Sequence, residues 1–388
     1  MSRNLVICCD GTNNQYSETN TSVVRIVQAL DLDPARQLFF YDPGVGTMPE
    51  ARFTSRVGKR LSEVSGLAFG TGLIDDVQQA YRYLMEHWQP DDRVFIFGFS
   101  RGAYTARALA SLLWMFGLLP AGADNQLPYV MRQFRASRQK LDKSTQSNNE
   151  YWDFVNGYRE TFARELVPGA ARNFPVHFAG VWDTVSSVGY VYSPDNFPFT
   201  ARNPGIGIAR HAMAIDERRC FFRQNRFLPL TPPASQDLKQ LWFAGVHSDV
   251  GGGYPESQSG LWRVAFEWML DEAQLAGLLV DKARKNVVLN RTVPAAKPWA
   301  EPQHESLTAG WWPVEFFPKL RRKPGTFKKQ LRMGRGRRRT PQTGEHVHPS
   351  VILRVRDRPD YNPPNLPATL LARWRGGNND TEINPETR

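Results

Sequence analysis

The chain has 388 residues, enough for one large domain with insertions or for two modest ones, and its 41% hydrophobic content supports a substantial core. Three cysteines, Cys8, Cys9 and Cys220, make neither a disulfide framework nor a metal pattern and read as small buried hydrophobes in a reducing compartment. The net charge of +11 is local: Lys319 to Arg339 holds eleven Lys or Arg and no acid, while the other 38 basic residues balance 38 acidic ones.

Asn4 to Cys9 predicts a first strand, and Asp10-Gly11-Thr12-Asn13-Asn14 a polar turn past its carboxyl end. The strand run is too short for a signal-peptide core, and no stretch approaches the ~20 apolar residues of a membrane span. The expected location is cytoplasmic, or outside the cell through a specialised secretion route that needs no signal peptide. Thr21 to Leu30 carries Val23, Val24, Ile26, Val27 and Leu30, a helix capped by Asn20 or Thr21. Gln37 to Tyr41 is a second strand, closed by Asp42-Pro43-Gly44. A Gly-rich loop runs through Gly46, Gly66, Gly70 and Gly72. Residues 73–88 then align Ile74, Val77, Tyr81, Leu84, Met85 and Trp88 along one helical face.

Val94 to Phe97 is a third, fully apolar strand, and Ala103 to Ala110 a helix. Alternating strands and helices predict a mainly parallel sheet with helices on both faces. Between that strand and helix stands Gly98-Phe99-Ser100-Arg101-Gly102. A Gly-x-Ser-x-Gly on a strand-to-helix turn is the nucleophile-elbow pattern. Gly98 and Gly102 are required because a Cβ there would strike the neighbouring backbone. The turn lifts the Ser100 hydroxyl to a helix N-terminus, where developing negative charge is favoured.

A serine nucleophile needs a base, and the base an orienting acid. Two strand ends supply them. Val176 to Trp182 ends in Asp183-Thr184-Val185, and Leu241 to Val246 ends in His247-Ser248-Asp249, followed by three glycines. His247 is the expected base and Asp183 the expected acid; Asp249 is the rival acid, although it sits close enough to His247 to serve instead as a shaper of the loop. The oxyanion donors are the N–H of Arg101 and one from Gly11 or Thr12. No metal cluster and no cofactor motif are visible.

The predicted organisation is a core over 1–118 and 175–290, a helical insertion over 119–174 lying across the active-site end, a C-terminal extension over 291–375 that includes the basic segment 319–339, and a disordered tail over 376–388. Trp311-Trp312 and Phe316-Phe317 precede the basic run. Aromatics beside such a run suit an anionic membrane surface; nucleic acid is the competing partner, and a solvated loop the plain alternative.

The ordered motifs Cys9-Asp10-Gly11-Thr12-Asn13-Asn14, Tyr41-Asp42-Pro43-Gly44-Val45-Gly46, Gly98-Phe99-Ser100-Arg101-Gly102-Ala103, Gly180-Val181-Trp182-Asp183-Thr184-Val185 and Phe243-Ala244-Gly245-Val246-His247-Ser248-Asp249-Val250-Gly251-Gly252-Gly253-Tyr254 together resemble the bacterial α/β-hydrolase family that includes the phospholipase effectors of type VI secretion. Asp216-Glu217-Arg218-Arg219 and Val347-His348-Pro349-Ser350-Val351 are also similar to that family. The resemblance implies a triad of Ser100, Asp183 and His247 and cleavage of glycerophospholipid acyl esters. The competing readings are a soluble carboxylesterase for small esters and a non-enzymatic module that binds a polyanion.

Overall fold

The structure is a computed structural model. It describes residues 2–11, 19–44, 69–140, 145–185, 197–220, 222–230, 236–290, 296–316, 319–322 and 329–383. Strands β1 (Asn4–Cys9), β2 (Gln37–Asp42), β3 (Arg93–Phe99), β4 (Val176–Trp182), β5 (Ile206–Ala214), β6 (Asp237–Phe243) and β9 (His346–Val347) form one sheet in the order β2-β1-β3-β4-β5-β6-β9. Every pairing in it is parallel.

Strand alternation sorts the core into two layers. Leu5, Ile7 and Cys9 of β1 face α2 (Phe69–His87) and α3 (Arg101–Phe116), while Val6 and Cys8 face α1 (Ser22–Ala29) and, later in the chain, α7 (Trp262–Leu275). Thr21 caps α1 by accepting a hydrogen bond from Val24 N. From β2 the chain returns across β1 to β3 and then builds the sheet in the opposite direction. The chain therefore leaves β1 and β3 toward opposite sides, which makes this edge a topological switch point. Cys9 lies in register with Gly98, so the turn after β1 and the turn containing Ser100 meet there.

The sequence reading missed β5. Its run Ile206-Gly207-Ile208-Ala209-Arg210-His211 looks too polar for an inner strand, but each polar group is satisfied. The Arg210 guanidinium pairs with Asp237 at 2.5 Å and Glu272 at 2.6 Å. His211 is fully buried, and its Nε2 accepts from Thr184 N at 3.2 Å. Gly70 and Gly72, expected in a loop, lie in the first turn of α2. Gly46 and Gly66 lie outside the described residues.

The insertion packs on the helix that follows Ser100. Its helices α4 (Leu127–Lys140) and α5 (Thr145–Phe162) share the core of α3. Arg159 Nη1 of α5 donates to Met115 O, and Tyr158 meets Phe116 edge-on, both at the end of α3 remote from Ser100. The helix pair extends the core along α3, and it also reaches the loop after β4: Phe134 stacks on Phe197 with centroids 4.4 Å apart, and Phe197 N donates to Tyr104 Oη at 3.0 Å.

After α8 (Lys282–Leu289) and the short α9 (Trp312–Glu315), strands β7 (Lys319–Arg322) and β8 (Lys329–Arg332) make a separate antiparallel pair. The remaining C-terminal residues are no appendage. β9 adds to the sheet beside β6, and α10 (Pro349–Asp357) and α11 (Ala368–Arg375) close a third core around Met213, Trp242, Val351 and Trp374. Part of the expected disordered tail is ordered as well: Val347 N donates to Thr381 O at 3.0 Å and Ile383 N to Glu345 O at 2.8 Å. Buried Ile383 supplies the apolar anchor that the polar composition of the tail conceals. Residues 384–388 lie outside the described residues.

Trp374 is fully buried, and its Nε1 donates to Asp380 O at 2.8 Å. Trp374→Ala is expected to cost about 3–5 kcal/mol of global stability in urea unfolding followed by fluorescence and circular dichroism. A loss below about 1 kcal/mol, or a separate early C-terminal transition, would show that this third core is not continuous with the rest.

Candidate active site

Ser100 sits between β3 and α3 with φ 59° and ψ −120°, a left-handed conformation that a residue with a Cβ adopts only under constraint. The constraint comes from β4: Ser100 N donates to Trp182 O at 3.1 Å, and Val185 N donates to Ser100 O at 3.3 Å. The glycines serve as the sequence requires. A Cβ on Gly98 would stand 2.5 Å from Gly102 O, and one on Gly102 would collide with the carbonyl oxygens of Cys9 and Asp10. The side chain of Ser100 makes no capping bond to α3.

Asp183 follows β4 directly, with φ 39°, and is fully buried. Its backbone N donates to Ala212 O at 2.7 Å. Its Oδ1 accepts from Ala214 N at 2.9 Å and from Arg339 Nη1 at 2.5 Å. Its Oδ2 accepts from His247 Nδ1 at 2.5 Å and from Arg339 Nη2 at 3.0 Å. Burial alone would raise this carboxyl; Arg339 and His247 overcome it and hold the group well below the usual carboxylate range.

His247 opens the short helix α6 (His247–Gly251). Its ring stacks on Phe99, the residue before Ser100, with centroids 4.6 Å apart, and Phe222 meets it edge-on at 4.8 Å. The imidazole thus lies beside the elbow. With Nδ1 donating to Asp183, the neutral ring carries its lone pair on Nε2. Burial lowers the proton affinity of His247, against the opposing pull of Asp183.

Three residues chosen from the sequence, Ser100, Asp183 and His247, therefore gather at the carboxyl ends of β3, β4 and β6. The rival acid Asp249 is committed elsewhere: its Oδ2 accepts from Val246 N at 3.0 Å and its Oδ1 binds His304 Nδ1 at 2.7 Å. Gly11 is buried next to the elbow, but its N–H donates to Asp10 Oδ1 at 2.7 Å. Thr12 lies outside the described residues. Among the described residues no group of three or more His, Cys, Asp or Glu is placed to hold a metal ion.

Two supporting residues were not assigned a role from the sequence. Glu217 has a side chain with no exposure. It accepts His247 N at 3.2 Å and Ser306 Oγ at 2.9 Å and pairs with Arg219 at 3.0 Å. Arg219 outweighs burial and brings the Glu217 carboxyl down to about 2. The run Asp216-Glu217-Arg218-Arg219 was visible, but the order of residues does not show that Glu217 reaches the His247 backbone. Arg339 gave no local signal, because it ends a run of ten other basic residues.

Comparison with known proteins gives the following relationships. The model of the family described as "T6SS, Phospholipase effector Tle1-like, catalytic domain" matches residues 3–272. The uncharacterized protein YEL023C of Saccharomyces cerevisiae is 30% identical over 265 residues, which is 66% of this chain and 37% of that protein. The chain therefore spans little more than a third of that relative's length. A crystal structure of an uncharacterized protein from Pseudomonas aeruginosa aligns with TM-score 0.44 and 17% identity over 76% of this chain and 49% of its own. The structure of the Tle1 effector bound to the VgrG spike of the type VI secretion system aligns with TM-score 0.36 and 19% identity over 67% of this chain and 53% of its own. By the match over residues 3–272, the chain belongs to the Tle1-like family of type VI secretion phospholipase effector catalytic domains.

Proposed function

We propose that this chain is a serine esterase that cleaves acyl esters of glycerophospholipids. The observation that carries the reading is the buried Asp183–His247 contact, stacked beside a serine held in the left-handed elbow conformation. The family supplies the substrate class.

In this mechanism Ser100 Oγ attacks the ester carbonyl while His247 Nε2 takes its proton. Asp183 holds the ring in the tautomer that leaves Nε2 free and stabilises the imidazolium that forms. The Arg101 N–H, at the start of α3, receives the oxyanion, with the dipole of a 16-residue helix behind it. Because the Gly11 N–H is engaged by Asp10, the second donor is assigned to Thr12. His247 then protonates the departing lysolipid oxygen. A water activated by the same imidazole breaks the acyl–Ser100 bond and regenerates the hydroxyl.

The surface beside the site fits an anionic bilayer. Trp312, Phe316 and Met333 are exposed, and so are Arg335 and Arg337. Gly334 N and Arg335 N both donate to Glu315 O, which holds this loop against the Trp312–Phe316 turn. Trp311 meets Phe222, which in turn meets His247, so the aromatic face leads toward the imidazole. Membrane delivery of substrate favours the phospholipid reading over a small-ester carboxylesterase.

The first expectation concerns the triad. With phosphatidylglycerol vesicles and mass-spectrometric detection, the wild type should release fatty acid and lysolipid. Ser100→Ala should lose at least ~10³-fold in rate and Asp183→Asn ~10³–10⁴-fold. Unchanged turnover in Ser100→Ala would remove the mechanism.

The second expectation concerns pH. His247 works as a base only when neutral, and its depressed proton affinity keeps it neutral at lower pH. The acid limb of kcat/KM should therefore have its midpoint below about 6.5. A midpoint above 7 would contradict the assignment.

The third expectation concerns the surface. Replacing Trp312 and Phe316 by Ala and Arg335 and Arg337 by Gln should cut the ratio of vesicle to monomeric-ester turnover roughly tenfold at low salt. An unaltered ratio would return the reading to a soluble carboxylesterase.

A further inference from the structure

Arg339 ends the basic run, yet its side chain is only 9% exposed. It meets both oxygens of Asp183, through Nη1 at 2.5 Å and Nη2 at 3.0 Å. The same nitrogens donate to Ala214 O at 2.9 Å and Phe222 O at 2.6 Å. Asn365 Nδ2 fixes the backbone behind it, donating to Arg339 O at 3.0 Å and to Ile215 O at 2.9 Å. A planar guanidinium matches a carboxylate with two parallel bonds, which sets the angle of the acid as well as its charge. Phe222, whose carbonyl Arg339 takes, also lays its ring against His247. One side chain therefore fixes the acid and one wall of the imidazole's slot.

We propose that Arg339 is a positioning residue of the Ser100–His247–Asp183 site, supplied from the C-terminal extension, which fixes the Asp183 carboxylate and shares its charge with the imidazole. The kinetic part of this inference rests on the esterase reading; the structural part does not. Arg339 lies beyond residue 272, where the family match ends, so the site is completed by a segment outside that match.

The charges around the dyad single out Arg339. Glu217 and Arg219, from the loop after β5, face His247 and pair with each other at 3.0 Å. His211, on β5, faces Asp183, and burial brings it down to about 3, so it stays neutral. Asp183 thus faces two partners, a permanent cation and a titrating ring. Removing the cation gives the whole carboxylate field to the ring and raises its proton affinity. The acid limb of catalysis must then move to higher pH, whereas loss of a mere packing contact would lower the rate without moving it.

The experiment compares the full-length wild type, Arg339→Gln and Arg339→Lys. The kcat/KM for a soluble monomeric ester is measured against pH, and the His247 ring is titrated by NMR in histidine-labelled protein. For Arg339→Gln both midpoints should rise by about one pH unit. Its kcat should fall roughly 10–100-fold with KM changed less than about threefold, as for a misplaced catalytic geometry. Arg339→Lys, which keeps the charge but loses the fork, should show a smaller shift and a partial rescue of kcat. Identical midpoints in wild type and Arg339→Gln would overturn the inference. So would loss of folding in both variants, which would make Arg339 a packing anchor only. A wild type without ester turnover whose NMR midpoint still rises in Arg339→Gln would sink the esterase reading and support this one.

Discussion

A carboxylate stripped of water at the edge of a parallel sheet is stable only if its surroundings replace the lost hydration, and Asp183 is such a group. An amide, an imidazole and both arms of a guanidinium take its two oxygens. Satisfying it draws together β4, β5, the loop after β6 and the C-terminal extension. The same contacts hold the His247 ring upright beside Phe99, and so beside Ser100. The acid thus organises the site even though the proposed mechanism gives it no covalent part.

The sheet decides where this can happen. Because strand order reverses beside β1, the chain leaves β1 and β3 toward opposite sides of the sheet at the carboxyl edge. The elbow itself is crowded below: Gly102 stands against the carbonyls of Cys9 and Asp10, and Gly251 leaves room for the Phe99 ring. Strain at Ser100 is tolerated because Trp182 and Val185 clamp its backbone on both sides. The tight packing under the elbow and the placement of Ser100 at the carboxyl edge of the sheet are in this way two results of one register.

Much of this was legible in the residues. The pattern of strands ending in Ser100, Asp183 and His247 follows from apolar runs closed by polar turns, and the unbroken apolar run of β1 agrees with its burial on both faces. What was hidden depends on long-range pairing. β5 looked too polar because Arg210 finds its carboxylates 27 and 62 residues away. β9 has two residues, too few for any periodicity, and exists because β6 offers it an edge. Arg339 looked like one more solvated charge; its partner lies 156 residues earlier in the chain. Local sequence reports local preference, and a buried ion pair closed by tertiary structure leaves no local trace.

The proposed chemistry requires that the Ser100 hydroxyl be activated by its neighbours. The most direct measurement is reaction of the intact chain with a fluorophosphonate, followed by peptide mass spectrometry. A single adduct on Ser100, absent when Asp183 or His247 is replaced, is the predicted result. No adduct, or one on another serine while Ser100 stays unmodified, would contradict it.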